Sequence, residues 1–300
     1  MTATAPHAGF LHARTEFDPA ARPVLRVRQG ERFLLEARSL LTDGTFETAT
    51  DFRGAAIPVT GPVAIADVRP GDLLRIDVHE IRLADRGGMV TLPGRGGFGE
   101  PLEMAGLVVP VRDGHACFPD DVLVPIRPMI GKIGVAPAGE SPNSSTVGRY
   151  GGNMDCRDVI AGASLFVTAQ VDGGLLYAGD LHAVQGDGEC SLTAVEMEGA
   201  VELSVRVVRP GPVRGPVVFA EGRMVVIGDG ETLDEAATLA LDETMAILRA
   251  DRGWTRERTA MLLSAAADVS VTQLVNARKG VKVTLDERYL LTCPFERKED

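Results

Sequence analysis

Two short stretches of this 300-residue chain concentrate the residue types that hydrolytic chemistry uses. One is Gly151-Gly152-Asn153-Met154-Asp155. The other is Gly179-Asp180-Leu181-His182-Ala183-Val184-Gln185-Gly186-Asp187-Gly188-Glu189. Asn153 and Asp155 stand two apart, as do Asp180 and His182, and Asp187 and Glu189. On extended backbone, residues two apart project to one face, so each pair presents two polar groups in one direction. The intervening glycines let backbone and ligand approach closely. Carboxylates and an imidazole so grouped supply the donors of a hydrolytic metal site. Zn²⁺ takes His nitrogen and Asp or Glu oxygen and keeps a position for water, and an oxygen-rich set also suits Ca²⁺ or Mg²⁺. Singly, each residue has an ordinary explanation. Asp187-Gly188 and Asp172-Gly173 are turn dipeptides, Asn153 can satisfy loop backbone, and a lone strand histidine is more often structural. Together, with apolar strands feeding both ends of the cluster, they point to one shared site.

Other chemistries find less support. No Gly-x-Ser-x-Gly elbow is present, and Ser141, Ser144 and Ser145 lie in a Pro/Asn-containing loop without an evident base, which argues against a Ser-His-Asp triad. The glycine-rich stretch Leu92 to Gly99 matches neither phosphate-binding signature and reads as a mobile loop near a pocket. His79 falls on an alternating, solvent-facing strand, His115 in a turn, and His7 and His12 in the N-terminal tail. Cys156 sits between Asp155 and Arg157, with Asp158 close by, and reads as an inert thiol.

The elements that must position the cluster are mainly β with some α: an antiparallel β-sandwich-like core followed by C-terminal helices. We divide the chain into an N-terminal tail over 1–20, a β core over 21–230, and a helical and β part over 231–300 that belongs to the same unit. Thirty-four glycines and 18 prolines fit many short strands joined by tight turns. Arg69-Pro70-Gly71-Asp72 is a turn, and Leu73 to His79 alternates apolar and polar residues as a strand with one wet face. Leu107 to Val109 and Val122 to Val124 read as short strands. Asp172-Gly173-Gly174 predicts a hairpin between Ser164–Val171 and Leu175–Tyr177. A second pair is expected around Gly199, and one or two strands over Val217 to Ile227. Thr232 caps a predicted helix from Leu233 to Arg249, stopped by Gly253. Its apolar stripe comprises Leu233, Ala236, Ala237, Ala240, Leu241, Met245 and Leu248. A second helix is expected from Thr255 to Ala266, a short third near Val271 to Val275, and a closing strand over Gly280 to Leu285.

A net charge of −11 would repel phosphate backbones and anionic lipid, so nucleic acid and membrane are excluded as partners. Four scattered cysteines, with no Cys-x-x-Cys, support neither a disulfide scaffold nor a zinc knuckle. With no signal-peptide pattern at Met1 to Asp18 and no apolar run of spanning length, a cytoplasmic protein is expected. An apolar face on the C-terminal helices would suit a homo-oligomer.

The two stretches, together with Arg127-Pro128-Met129-Ile130-Gly131-Lys132-Ile133-Gly134-Val135-Ala136-Pro137, resemble the acetamidase/formamidase family. The likeness extends to Gly61-Pro62-Val63, Pro70-Gly71-Asp72, Ala266 to Val269, Val275-Asn276 and Lys279-Gly280, in order along most of the chain. The resemblance implies hydrolysis of a short linear amide, of formamide or acetamide type, to ammonia and the acid. It implies a divalent metal as cofactor, zinc ahead of calcium, and a β-sandwich-like core. Carried over residue by residue, it places Asp155, His182 and Glu189 nearest the metal, with Asn153 and Asp180 as ligands or orienting groups. It makes Asp155 and Glu140 the catalytic carboxylates, Glu140 as general base or proton shuttle. Arg127 stands where some members have His and is the candidate binder of a carbonyl oxygen or carboxylate. Asp51-Phe52 departs from a more polar neighbourhood and bears on the acyl pocket. Two other readings are a non-catalytic β-sandwich binding a structural cation or small ligand, and a hydrolase of cyclic amides.

Overall fold

The computed structural model describes residues 5–39, 56–208 and 213–292; Asp51 and Phe52 lie outside them. Two blocks of largely antiparallel strands share one apolar core, as the turn spacing led us to expect. In the first block, Met129–Val135 pairs with Gly151–Asn153 on one side and with Leu176–His182 on the other. Leu176–His182 pairs in turn with Val59–Ile65. In the second block, Leu73–Thr91 lies between Glu196–Val208 and Ser164–Thr168. That sheet continues through Val217–Ala220, Arg223–Gly230, Lys279–Asp286 and Ala267–Gln273. The blocks join where Leu181 pairs with Met197 and His182 with Glu196.

Three strands of the first block, Val59–Ile65, Met129–Val135 and Leu176–His182, are buried at every position. Covered on both faces, they lose the alternation of a one-sided sheet and read as runs of Val, Ile, Leu, Ala and Gly. Polar residues on them, Lys132, Asp180 and His182, therefore sit inside the protein. Leu73–Thr91 alternates over its first half, in keeping with one wet face.

Four expectations are corrected. The turn at Asp172 to Gly174 forms, with positive φ at Gly173, Gly174 and Leu175, but its flanking strands do not pair with each other. Ser164–Thr168 joins the second block and Leu176–His182 the first, while the turn is held by Val68 O and Ile65 N on Gly173. Gly199 is not a turn but the interior of the single strand Glu196–Val208; a Cβ there would strike the backbone carbonyl of Arg82 where the register shifts. The third helix is absent, because Ala267–Gln273 pairs as a strand with Lys279–Asp286. The segment expected as a tail is drawn in: His7–Ala8 pairs with Phe33–Ala37, and Phe17 is fully buried against Tyr150 and Tyr177.

The two expected helices form. In α1, Leu233–Arg252, the Thr232 side chain accepts from Glu235 N, and Gly253 closes the end in the left-handed region. In α2, Arg256–Ala266, Thr255 caps in the same way. Leu233 stays exposed, whereas Ala236, Ala240, Met245 and Leu248 of the expected stripe are buried. With Ile247 and Leu263, Met245 and Leu248 pack on Phe166, Val217, Met224, Val226 and Leu285. No helix among the described residues is long and apolar enough to cross a membrane.

Helix α1 lies close on the sheet because Gly228 has no side chain: a Cβ there would meet Ala236 O and would stand 2.6 Å from Ala240 N. Gly228→Ala should therefore destabilise the fold by about 1–3 kcal/mol through forced displacement of α1, read as a lower urea midpoint in chemical denaturation.

Candidate metal centre and active site

Strand register assembles the site. Lys132 pairs with Asn153 across one edge of its strand and with Gly179 across the other. His182 pairs with Met129 and with Glu196, at the joint between the two blocks. Asp155 follows the end of the Gly151–Asn153 strand, its N–H donating to Gly131 O at 3.1 Å. Glu189 arrives from the loop after the Leu176–His182 strand. Asp155, Asp180 and Glu189 adopt φ of 44°, 59° and 46°, a left-handed conformation that costs a non-glycine residue about 1–2 kcal/mol. All three carry their carboxylates to one cavity of about 400 Å³, also lined by Arg95, Lys132, Asn153, Glu196, Asn276 and the apolar Ala56, Ile57, Leu92 and Leu192. A larger recess of about 890 Å³ around Arg75, Phe219 and Arg288 receives none of the converging groups.

His182 is fully buried, and its tautomer follows from its neighbour. Gln185 Nε2 donates to Asp155 O at 2.7 Å and to Thr272 O at 3.2 Å, which turns Gln185 Oε1 toward His182 Nδ1 at 2.9 Å. Nδ1 therefore carries a hydrogen, and Nε2 faces Glu196 Oε2 at 3.1 Å and Asp180 Oδ1 at 3.6 Å. Lys132 Nζ donates to Ile57 O at 2.9 Å and lies 3.2 Å from Asp180 Oδ2. Four inward atoms, Asp155 Oδ1, Asp180 Oδ1, His182 Nε2 and Glu196 Oε2, are buried with no hydrogen-bond partner. Donor atoms of Asp155, Asp180 and His182 lie within 4.8 Å of one another, and so do those of His182, Glu189 and Glu196. One imidazole nitrogen has one lone pair, so the two trios describe a single centre. Buried oxygens and a nitrogen without partners, converging on one point, are what a divalent cation satisfies, and the donor set fits one.

Protonation in the cation-free site follows from burial and crowding. Burial, then the charge of Asp180, pushes Asp155 up to about 7. Burial, then Asp155, pushes Glu189 well above the usual carboxylate range. Burial also raises Glu196, to about 8; His182 opposes the rise and Asp180 adds to it. Burial would raise Asp180 too, but Lys132 and the imidazole outweigh it and hold the carboxyl below its usual range. For His182, burial favours the neutral ring, yet Glu196 and Asp180 prevail and lift its pKa well above 6.5.

The acetamidase/formamidase family profile matches residues 141–285, the part that carries both acidic stretches. The structure of an acetamidase from Bacillus halodurans superposes with a TM-score of 0.89 and 30% sequence identity, covering 94% of this chain and 98% of that one. The chain belongs to the acetamidase/formamidase family. A predicted acetamidase/formamidase from the thermophile Thermoanaerobacter tengcongensis is equally similar, with a TM-score of 0.89 and 30% identity over 95% of this chain and 96% of that one. An acetamidase of Mycolicibacterium smegmatis is 39% identical over 62 residues, which span 20% of this chain and 15% of that protein's length.

Within this family framework, Asn153, Asp155, Asp180, His182 and Glu189 all converge, as their spacing and the resemblance led us to expect. Arg127 and Glu140 do not join them. The Arg127 guanidinium lies 3.0 Å from Glu221 and 3.6 Å from Asp158, and the side chain lines no part of the cavity. Glu140 is exposed on the loop after Met129–Val135, likewise outside the cavity lining. The pair Asp187 and Glu189 does not share a face: Asp187 Oδ1 turns 2.8 Å to Lys282 Nζ while Glu189 enters the cavity.

Sequence reasoning passed over Glu196, Lys132, Gln185 and Asn276. A lysine in the apolar run Met129 to Val135, and a glutamate opening the Glu196–Val208 strand, were signals of buried charge. Nothing in the sequence announces that Gln185 sets the imidazole, or that Asn276 Nδ2 donates to Asp155 Oδ2 at 3.4 Å. Lys282, buried, donates at 2.8 Å both to Asp158 Oδ2 and to Asp187 Oδ1. One ammonium thus ties together the loops that carry Asp155 and Glu189.

Two outcomes follow. A Cβ on Gly131 would stand 2.8 Å from both Asp155 Oδ1 and His182 Cε1. Gly131→Ala should spread the donors and weaken divalent-cation affinity by roughly 10–100-fold, measured by competition with a chromogenic chelator. In the cation-free protein, Asp155, Glu189 and Glu196 keep protons that the unfolded chain releases near pH 4, so the folded state binds more protons from there to about 8. Stability is then full at the acidic end of that window and is lost as pH rises through it, and His182 acts with the same sign above its ordinary value. Chelated protein should melt lower at pH 8 than at pH 5, by about 5 °C or more, and a saturating divalent cation should remove the difference.

Proposed function

We propose that this chain hydrolyses the C–N bond of short amides, giving ammonia and the carboxylic acid, with a divalent cation as cofactor. The observation that carries the reading is the set of four buried atoms without hydrogen-bond partners, on Asp155, Asp180, His182 and Glu196, opening on a cavity that also holds the Glu189 carboxyl. Those four residues would hold the cation, with Zn²⁺ ahead of Ca²⁺ because a nitrogen donor joins three carboxylates in a four-member set. A cation so held polarises an amide carbonyl and makes water a stronger nucleophile at neutral pH.

The chain's own residues do the rest. Glu189 has no stranded oxygen and a strongly raised pKa, and it lines the cavity, so we assign it to proton transfer in place of Glu140. It takes a proton from the attacking water at its carboxylate and returns one to the departing nitrogen. The Lys132 ammonium faces the same cavity and opposes negative charge developing on the carbonyl oxygen. Asn153 Oδ1, buried and partnerless, accepts from the substrate NH₂ and sets the amide plane. Ile57, Leu92 and Leu192 offer the acyl chain apolar wall and keep water out.

Ammonia release measured over formamide, acetamide, propionamide and a small lactam tests this, with elemental analysis of the purified protein. Exhaustive chelation should abolish turnover, and one cation should restore it. Glu189→Gln should lower kcat by roughly 10²–10⁴-fold and leave cation binding in place. Full turnover after complete removal of the cation would overturn the mechanism. Loss of thermal stability on chelation, without turnover of any amide at any cation loading, would support the non-catalytic cation-binding protein instead.

A further inference from the structure

The cavity does not end at the metal centre. Arg95, Ser145 and Asn276 line both it and a second chamber of about 500 Å³, whose remaining wall includes Thr146 and Lys279. The two spaces therefore adjoin, with Arg95, Ser145 and Asn276 between them. Their charge differs sharply. The inner wall carries Asp155, Asp180, Glu189 and Glu196, whereas the outer wall carries two cations, hydroxyls and an amide, with no acid among its lining residues. In a chain with a net charge of −11, that is a marked segregation.

The outer cations are also held in place. Arg95 Nη2 donates to Val275 O at 3.2 Å, and the loop that bears it is pinned by Gly97 N donating to Cys190 O at 2.8 Å. Lys279 Nζ donates to Leu274 O and Asn276 O, each at 2.8 Å. Among the described residues neither cation has a carboxylate partner, so donor capacity is left on both. Size points the same way. Acetamide needs roughly the space of three waters, about 90 Å³, and would leave most of a cavity of about 400 Å³ and all of the outer chamber to another part of the substrate.

We infer that the outer chamber is a carboxylate subsite, and that the substrate is an amide whose far end is anionic, such as the monoamide of a short dicarboxylic acid. The inference rests on the amidase reading: the amide is cleaved at the inner centre while Arg95, aided by Lys279, holds the distal carboxylate. A guanidinium fork suits a carboxylate in two-point contact.

The test compares succinamate and glutaramate with butyramide and valeramide on the cation-loaded protein. Steady-state ammonia release is read beside calorimetric binding of each compound. The anionic amides should be preferred in kcat/KM by roughly tenfold. Arg95→Gln should collapse that ratio, chiefly through KM, Arg95→Lys should restore part of it, and added salt should erode it. Equal kcat/KM for the anionic and neutral amides, or a ratio untouched by Arg95→Gln, would overturn the inference while leaving the amidase reading intact. If no amide turns over, the amidase reading falls, and calorimetry decides the subsite. Succinamate binding weakened about tenfold by Arg95→Gln, with butyramide binding no tighter than succinamate, would support it. Binding of succinamate that ignores Arg95 would overturn it.

Discussion

Four carboxylates share one buried space in this protein, and the surrounding structure answers to that fact. Asp155, Asp180, Glu189 and Glu196 are each almost wholly removed from solvent. Lys132 and His182 are the only basic groups in direct contact with them among the described residues. The effective penalty for burying a single ionised carboxylate is several kcal/mol. Only protons or a cation can make four of them tolerable, and the raised pKa values of Asp155, Glu189 and Glu196 are the proton solution. A divalent ion is the other solution, and it would displace the same protons. Protonation and cation binding are thus alternative answers to one electrostatic demand.

The demand explains features that otherwise look unrelated. Donors must be presented from several elements at once, because a single strand face can offer only every second residue. Two sheets therefore meet at the pairing of His182 with Glu196, and three donors bend into the left-handed region to reach inward. Gly131 lies beneath Asp155 and His182 and gives them the space a methyl group would fill. Lys282 holds Asp158 and Asp187, and so anchors both acid-bearing loops from behind. Arg127 braces the same Asp158 from the outer side. Its guanidinium lines no part of the cavity and pairs instead with Asp158 and Glu221.

The sequence revealed the convergence better than it revealed the roles. The two acidic stretches were legible from the density and spacing of their polar residues. Strand period alone does not bring Asp180 beside His182 or Asp155 beside Asn153, because Asp180 and Asp155 turn into the left-handed region. It failed also for Asp187 and Glu189, which lie on a loop where the period-two rule has no force and a buried lysine claims one of the two. Glu196 and Lys132 escaped because a polar residue in an apolar run has two readings, a wet edge or a buried charge, and only tertiary contacts choose between them. The same limit governed the fold. The first helix was read correctly from local chemistry at Thr232 and Gly253, and the second was placed from Thr255, which the structure shows as its cap. By contrast, the turn at Gly173 told nothing of which strands its arms would join. Local sequence sets a turn; long-range packing sets its partners.

Charge division along the cavity then links binding to loading. Fully ionised, the four inner carboxylates against Lys132 and a neutral His182 would leave three negative charges. Protons on Asp155, Glu189 and Glu196, or a divalent cation, must offset that excess. A dication reduces the excess to one, which matches a Glu189 carboxylate ready to accept a proton from water. In both states, protonated or cation-loaded, the inner excess is small beside the field of Arg95 and Lys279 at the mouth. The two chambers therefore make chemical sense as a pair, a charge-balanced inner centre leaving the proposed carboxylate subsite free to act.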